Sequence, residues 1–289
     1  MEYYIHLAIL VGIYLILAQS FNITFGLGRL FNLAHISMYA IGAYATALLS
    51  TEQGFEFFGC LLVSIAAGIA ASALLIPIAK RLSDVSLGIG TLAFAALVSA
   101  LLVNWKSFTH GVLGIPGIPR PEIGQALFED NFAFLKLTAV VATISLAAMY
   151  GLFRNRFARS LRAMGEFEQS AAGLGIETGY LRAVSLMLAS AFAAVAGCLF
   201  AYYLSYIDPS SFQMSEMIFV MTIAVVGRPG SFWGCIAATI FLVLLPEPLR
   251  FLDLPSSVLG PLRQLIYSVV LVLVIYINRA RIFPPQRTI

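Results

Sequence analysis

The sequence predicts an all-α fold, a polytopic integral membrane bundle of about eight to nine transmembrane helices. Composition is the first reason. Of the 289 residues, 60% are hydrophobic and only 11% charged, and the mean hydropathy is +0.93. A soluble domain carries about a quarter charged residues. Segment length is the second reason. The apolar runs approach the roughly 20 residues that a helix needs to span a bilayer, not the ten-residue alternation of an outer-membrane barrel. The third is that no long polar stretch leaves room for a soluble domain, so residues 1–289 read as a single transmembrane domain. In lipid only helices or closed barrels satisfy every backbone polar group, and the run lengths select helices.

Nine apolar segments follow along the chain, at 5–24, 33–50, 57–80, 86–104, 131–153, 181–206, 214–227, 231–250 and 263–279. The first lacks a basic leader and a small-residue cleavage site and reads as a retained span. The seventh is short for a full crossing and is compatible with a re-entrant segment. Alternating the rest places Arg29, Lys80, Arg81, Arg154, Arg156, Arg159, Arg162, Arg182, Arg228, Arg279, Arg281 and Arg287 on one side, 12 of the 17 basic residues. Lys106, Arg120, Lys136, Arg250 and Arg263 fall on the other, with most of the acids. The positive-inside rule makes the arginine-rich side cytoplasmic, with the N-terminus outside and the C-terminus in the cytoplasm of an inner-membrane protein.

The connection at 154–180 is the main charged interruption. Phe157, Leu161, Met164, Phe167, Ala171 and Leu174 recur three and four residues apart, so the spacing predicts one amphipathic helix. Such a helix either lies on the bundle or lipid surface or docks a cytoplasmic partner. The outer loop at 105–130 holds three glycines and three prolines between Gly111 and Pro121, which predicts an irregular but structured loop. It serves as a connector or as a surface for an external partner.

Several chemistries lack their residues. No Gly-Lys-Ser/Thr loop exists to cradle a nucleotide, and His6, His35 and His110 are too dispersed for a zincin site. Cys60, Cys198 and Cys235 sit singly in apolar runs and read as core residues. No basic block of nucleic-acid-binding type occurs. The sequence therefore predicts no catalytic, metal or cofactor site. Glu216 and Glu247, the acids nearest to spans, are expected at the membrane interface, which argues against an ion-coupled carrier. A driving force absent from this chain has to come from an associated subunit.

One polar stripe lies inside a span. Asn32, His35 and Tyr39 fall three and four residues apart and share a helical face, which must point into the bundle. They form either a hydrogen-bonded packing site or the wall of a translocation path. Small residues at Gly42–Ala47, Ala66–Ala71 and Ala189–Gly197 predict close helix approach. Gly28-Arg29 and Gly227-Arg228 each precede a glycine-bearing helix, a faint internal repeat.

Four stretches, in order, resemble a known family. They are Gly28 to Tyr44 with its His and Gly-Ala-Tyr, Thr91 to Phe94 with Thr109 to Pro121, Arg162 to Glu168 leading to Gly175, and Gly227 to Gly234. Over about residues 20–250 the chain resembles the permeases of branched-chain amino acid ABC transporters, the LivH/LivM family, and more closely its LivM branch. The general Glu-Ala-Ala-x-x-x-Gly pattern falls on Gln169, Ser170 and Ala171 with Gly175, so only Ala171 and Gly175 match it.

The resemblance implies a transport subunit without its own ATPase site. It implies a second similar permease, two cytoplasmic ATPase subunits that bind the ATP, and an extracytoplasmic substrate-binding protein. Arg162, Glu166, Glu168, Ala171 and Gly175 would form the ATPase-coupling loop, and Asn32, His35 and Tyr39 would line the path. Branched-chain amino acids are the expected cargo. A urea or short-amide permease of the same family is the alternative, and an ion-coupled secondary transporter is the reading from another class.

Overall fold

The computed structural model describes residues 2–82, 84–123, 126–128, 130–247 and 256–282. Helix α1 spans Glu2–Phe21 and continues as a π-helical segment, Asn22–Leu27. Then come α2 (His35–Glu52), α3 (Phe57–Ala73), α4 (Ile76–Arg81), α5 (Asp84–Asn104) and the short α6 (Lys106–Thr109). The second half holds α7 (Asn131–Arg154), α8 (Arg156–Glu166), α9 (Glu168–Gly173) and α10 (Thr178–Leu204). It ends with α11 (Met214–Val226), α12 (Phe232–Leu244) and α13 (Ser256–Ile282).

Among the described residues, seven helical segments are long and apolar enough to cross a membrane, and α12 is a shorter apolar helix. Helix α2 is long enough but carries His35, Ser37, Tyr39, Tyr44, Thr46, Ser50 and Thr51. Over the described residues, each of the nine apolar segments read from the sequence coincides with a helix or helix pair, and residues 248–250 of the eighth lie outside them. The third is broken, because Pro77 in the first turn of α4 has no N–H for a helix continuing from α3.

Helix α10 is the hub, packing on α2, α3 and α1. Small residues make this possible. A Cβ added at Gly42 would stand 2.5 Å from both Cα and O of Ala194, and one at Gly197 would press on the Tyr39 carbonyl and lie 2.8 Å from Ala43 N. With backbones this close, dispersion and packing replace the hydrophobic drive that lipid cannot supply. Thr46 and Ser64 add a hydroxyl pair at 2.8 Å, and Ser64 donates to the Gly42 carbonyl at 3.0 Å.

Two stretches turn back into the bundle as irregular backbone. Residues 28–34 run non-helically from the end of the π-helical segment to α2. Backbone inside a membrane protein tolerates this only when buried and bonded. Thr91 on α5 meets that need: its hydroxyl accepts from Leu33 N–H at 3.0 Å and lies 3.3 Å from the Phe31 carbonyl. After α10 the chain forms a strand, Tyr206–Ile207, paired antiparallel with Ile115–Pro116 of the 105–130 loop. A 3-10 turn at Pro209–Phe212 then sends it inward. Asp208 caps that turn. Burial alone would raise its carboxyl pKa, but the hydroxyls of Ser210 (2.5 Å) and Ser211 (2.6 Å) and the Ser211 N–H outweigh it and hold the group below the usual range. The Phe212 ring ends up against Tyr39 (5.3 Å) and Phe200 (5.9 Å), so α11 begins inside the bundle.

Two expectations are corrected. The 154–180 connection is not one helix. Asn155 caps α8 by accepting from Phe157 N–H at 3.1 Å, and Phe167 then takes an extended conformation (φ −148°, ψ 91°) before α9. That break resets the helical register. Leu161, Met164 and Ala171 are buried, whereas Phe167 and Leu174 are 70% and 82% exposed. Glu216 is not at the interface either. Its Oε2 accepts from the Tyr14 hydroxyl at 2.9 Å, and Tyr14 stands midway along the 26-residue span Glu2–Leu27. The inward turn at Phe212 carries this acid to mid-depth.

Candidate functional site

The polar stripe lies in the interior, but only His35 and Tyr39 are on α2, and Asn32 stands in the non-helical stretch before it instead of on a shared helical face. Asn32, His35 and Tyr39 are 0%, 0% and 2% exposed. His35 opens α2, and its Nε2 lies 3.2 Å from the Leu17 carbonyl and 3.1 Å from Ser20 Oγ, both on α1. A carbonyl only accepts, so Nε2 carries the hydrogen and Nδ1 is left as an acceptor. Asn32 Oδ1 accepts from Ala34 N–H at 3.2 Å. The remaining polar atoms of the stripe, Asn32 Nδ2, His35 Nδ1 and the Tyr39 hydroxyl, are buried without a hydrogen-bond partner among the described residues. So are the Gln19 amide on α1 and the Ser190 hydroxyl on α10. Each such atom costs about 1–3 kcal/mol if left dry.

Tyr14 and Glu216 add a further polar pair in the bundle interior, with the Tyr14 hydroxyl donating to the Glu216 carboxylate at 2.9 Å. The sequence reading missed this pair. The available signal was an acid within an apolar segment.

A second set of contacts joins the 154–180 connection to the bundle end. Gly165 packs on the turn after the π-helical segment, and a Cβ there would stand 2.9 Å from the Leu27 and Gly28 carbonyl oxygens. Arg162 Nη2 donates to the Gly230 carbonyl at 3.3 Å. Asn22 straps the same turn, accepting from Gly230 N–H at 2.8 Å and donating to the Ser231 carbonyl at 3.1 Å. The two Gly-Arg pairs of the faint repeat thus close adjacent turns, each with a left-handed arginine (Arg29 φ 51°, Arg228 φ 63°).

Glu168 forms an ion pair with Arg182 at 2.6 Å, and Arg182 Nη1 donates to the Ala79 and Leu82 carbonyls at 3.0 and 2.9 Å. One buried guanidinium therefore ties α9, α10 and the end of α4 together. Of the other residues expected in a coupling loop, Ala171 is buried, Glu166 is exposed, and Gly175 (φ 82°) is exposed with open space around it. Among the described residues no group of His, Cys, Asp and Glu side chains could hold a metal ion.

Fold and polar stripe together define a multi-pass helical membrane protein with a polar interior track, bound at one end by a charged, partly exposed connection. The chain belongs to the permease-component family of branched-chain amino acid transport systems, whose family model matches residues 3–276. It is 33% identical over 285 residues to the high-affinity branched-chain amino acid transport system permease protein LivM of Escherichia coli K12, covering 90% of this chain and 67% of that one. The LivM protein of Salmonella typhimurium is 32% identical over 289 residues, with the same coverage. The LivH permease of Salmonella typhimurium is 27% identical over 249 residues, or 79% of each chain. The likeness is therefore stronger to LivM. No solved structure matches the chain.

Proposed function

We propose that this chain is the permease subunit of an ATP-driven importer of branched-chain or related hydrophobic amino acids in the inner membrane. Its partners would be a second, homologous permease, two cytoplasmic ATPase subunits and an extracytoplasmic binding protein. The chain itself would hold no cofactor and catalyse no reaction, and ATP would bind only to the ATPases. The 154–180 connection would face the cytoplasm, with the N-terminus outside and the C-terminus inside.

The observation that carries this reading is a mechanical one. Phe167, Leu174 and Gly175 project from a connection whose other side is tied to the bundle through Gly165, Arg162 and the Glu168–Arg182 pair. Exposed apolar side chains beside a rigid tie suit a partner that pushes. A displacement there would reach α10 and the turns before α2 and α12, and so the seam of Asn32, His35 and Tyr39. Packed helices respond to such pushes by rigid tilting, which is the basis of alternating access.

Reconstituted with its partners, the chain should support ATP-dependent leucine accumulation. Uphill uptake by the chain alone on an ion gradient would overturn the reading. Gly175→Trp is expected to reduce uptake at least about ten-fold while leaving the protein in the membrane, because a left-handed position strains any side-chain-bearing residue and the indole would occupy the docking space. Normal uptake by that variant would remove the connection from the coupling role. His35→Ala is expected to lower uptake at least about five-fold without loss of assembled protein, since the site would lose a polar wall group but little packing. A variant with full uptake would make His35 a packing residue only.

A further inference from the structure

The pair Tyr14–Glu216 opens onto a cavity of about 480 Å³ between α1, α11, α12 and α13. This size falls within the range of small-molecule sites. Leu7, Leu10, Ile218, Phe219 and Val243 make an apolar wall, and the polar part comprises the Glu216 and Glu247 carboxyls, the Tyr14 hydroxyl, Ser215 and Gln264. No described lining residue is basic, and among the described residues Glu216 has no cationic partner. An acid at mid-depth is costly unless it is paired. The Tyr14 hydroxyl fixes one carboxyl oxygen at 2.9 Å, and the ring is held edge-on by Phe219 at 5.1 Å, which in turn packs on Tyr267 at 4.4 Å. On neighbouring α2 the Tyr39 hydroxyl is buried without a hydrogen-bond partner among the described residues.

We infer that this cavity binds the primary ammonium group of an aliphatic amine or amino acid. Glu216 is the ion partner, Tyr14 positions its carboxyl, and the wall of α1, α11 and α12 receives the branched alkyl chain. The carboxyl supplies the charge complement and the wall supplies the apolar contact, which matches the two ends of such a molecule. The inference rests on the permease reading for its role in transport, since it makes Glu216 the place where the cargo's ammonium is held beside the seam.

The test uses the full chain in lipid nanodiscs and labelled L-leucine at millimolar concentration, with two competitors that each keep one charged end. Unlabelled 3-methylbutylamine should displace leucine, and 4-methylpentanoate should not. Glu216→Gln should weaken leucine binding at least about ten-fold, as loss of one member of a buried charge pair does. Tyr14→Phe should weaken it less. Equal displacement by the acid, absence of leucine binding, or unchanged affinity in a folded Glu216→Gln would overturn the inference. If Glu216→Gln does not fold, the competition on the unaltered chain decides. ATP-driven uptake by the complete transporter is measured alongside. Uptake that survives Glu216→Gln would sink the cavity and spare the permease reading, whereas no uptake with the unaltered chain would sink the permease reading itself.

Discussion

Gly42→Val and Gly197→Val are each expected to abolish accumulation of folded protein. At these positions a side chain would meet backbone, not a movable side chain: the Cα and carbonyl of Ala194 for one, the Tyr39 carbonyl and Ala43 nitrogen for the other. Overpacking that only displaces side chains costs about 1–3 kcal/mol. Here α2 and α10 themselves would have to separate, so at least about 3 kcal/mol is expected, a large share of the stability of an ordinary fold. Gly151→Ala on α7 is the control, since open space surrounds that position. It should be neutral or stabilising by up to about 1 kcal/mol. Monodisperse yield in detergent and the unfolding temperature check both results, and normal values for either valine variant would refute the close packing.

Arg182→Met is the second large effect. The guanidinium is buried and holds the Ala79 and Leu82 carbonyls as well as Glu168. Methionine fills the volume but leaves two carbonyls without donors, at about 1–3 kcal/mol each, so a loss near 3 kcal/mol is expected. Glu168→Gln should cost only about 1 kcal/mol, because that carboxylate is 42% exposed and water replaces much of its pairing. Adding the glutamate change to Arg182→Met should then cost almost nothing further, which a double-mutant cycle on unfolding free energy would reveal. In the complete transporter Arg182→Met should let ATP hydrolysis continue while leucine uptake falls. Additive stability losses would show that the two residues do not act as one tie.

The helices were legible because each apolar run carries its own length signal. The burial of His35 and Tyr39 was legible for a similar reason: polar residues at helical spacing inside an apolar run have only the interior to face, whereas Asn32 is buried in the non-helical stretch before α2 and not on the predicted helical face. Glu216 was misplaced because its depth is not a property of its own segment. It depends on the turn at Pro209–Phe212, and that turn is held by aromatic contacts with residues 12 or more positions away in the chain. The break at Phe167 was hidden because the hydrophobic period runs through it unchanged, and only the backbone dihedrals reveal that the register has shifted. The Arg182 tie joins carbonyls about 100 residues away in sequence, and nothing in the local pattern around Arg182 sets it apart from the arginines of the preceding connection.

The stem that leads into α2 also bears on how the chain is made. Its Leu33 amide finds its acceptor on Thr91, 58 positions later. A ribosome that has delivered the first two spans has not yet synthesised that hydroxyl. The first hairpin therefore enters the bilayer with part of its main chain unfinished, and it can mature only once the fourth span has been threaded in beside it. Truncated nascent chains ending before Thr91 should expose this stem to protease, and chains long enough to insert α5 should protect it.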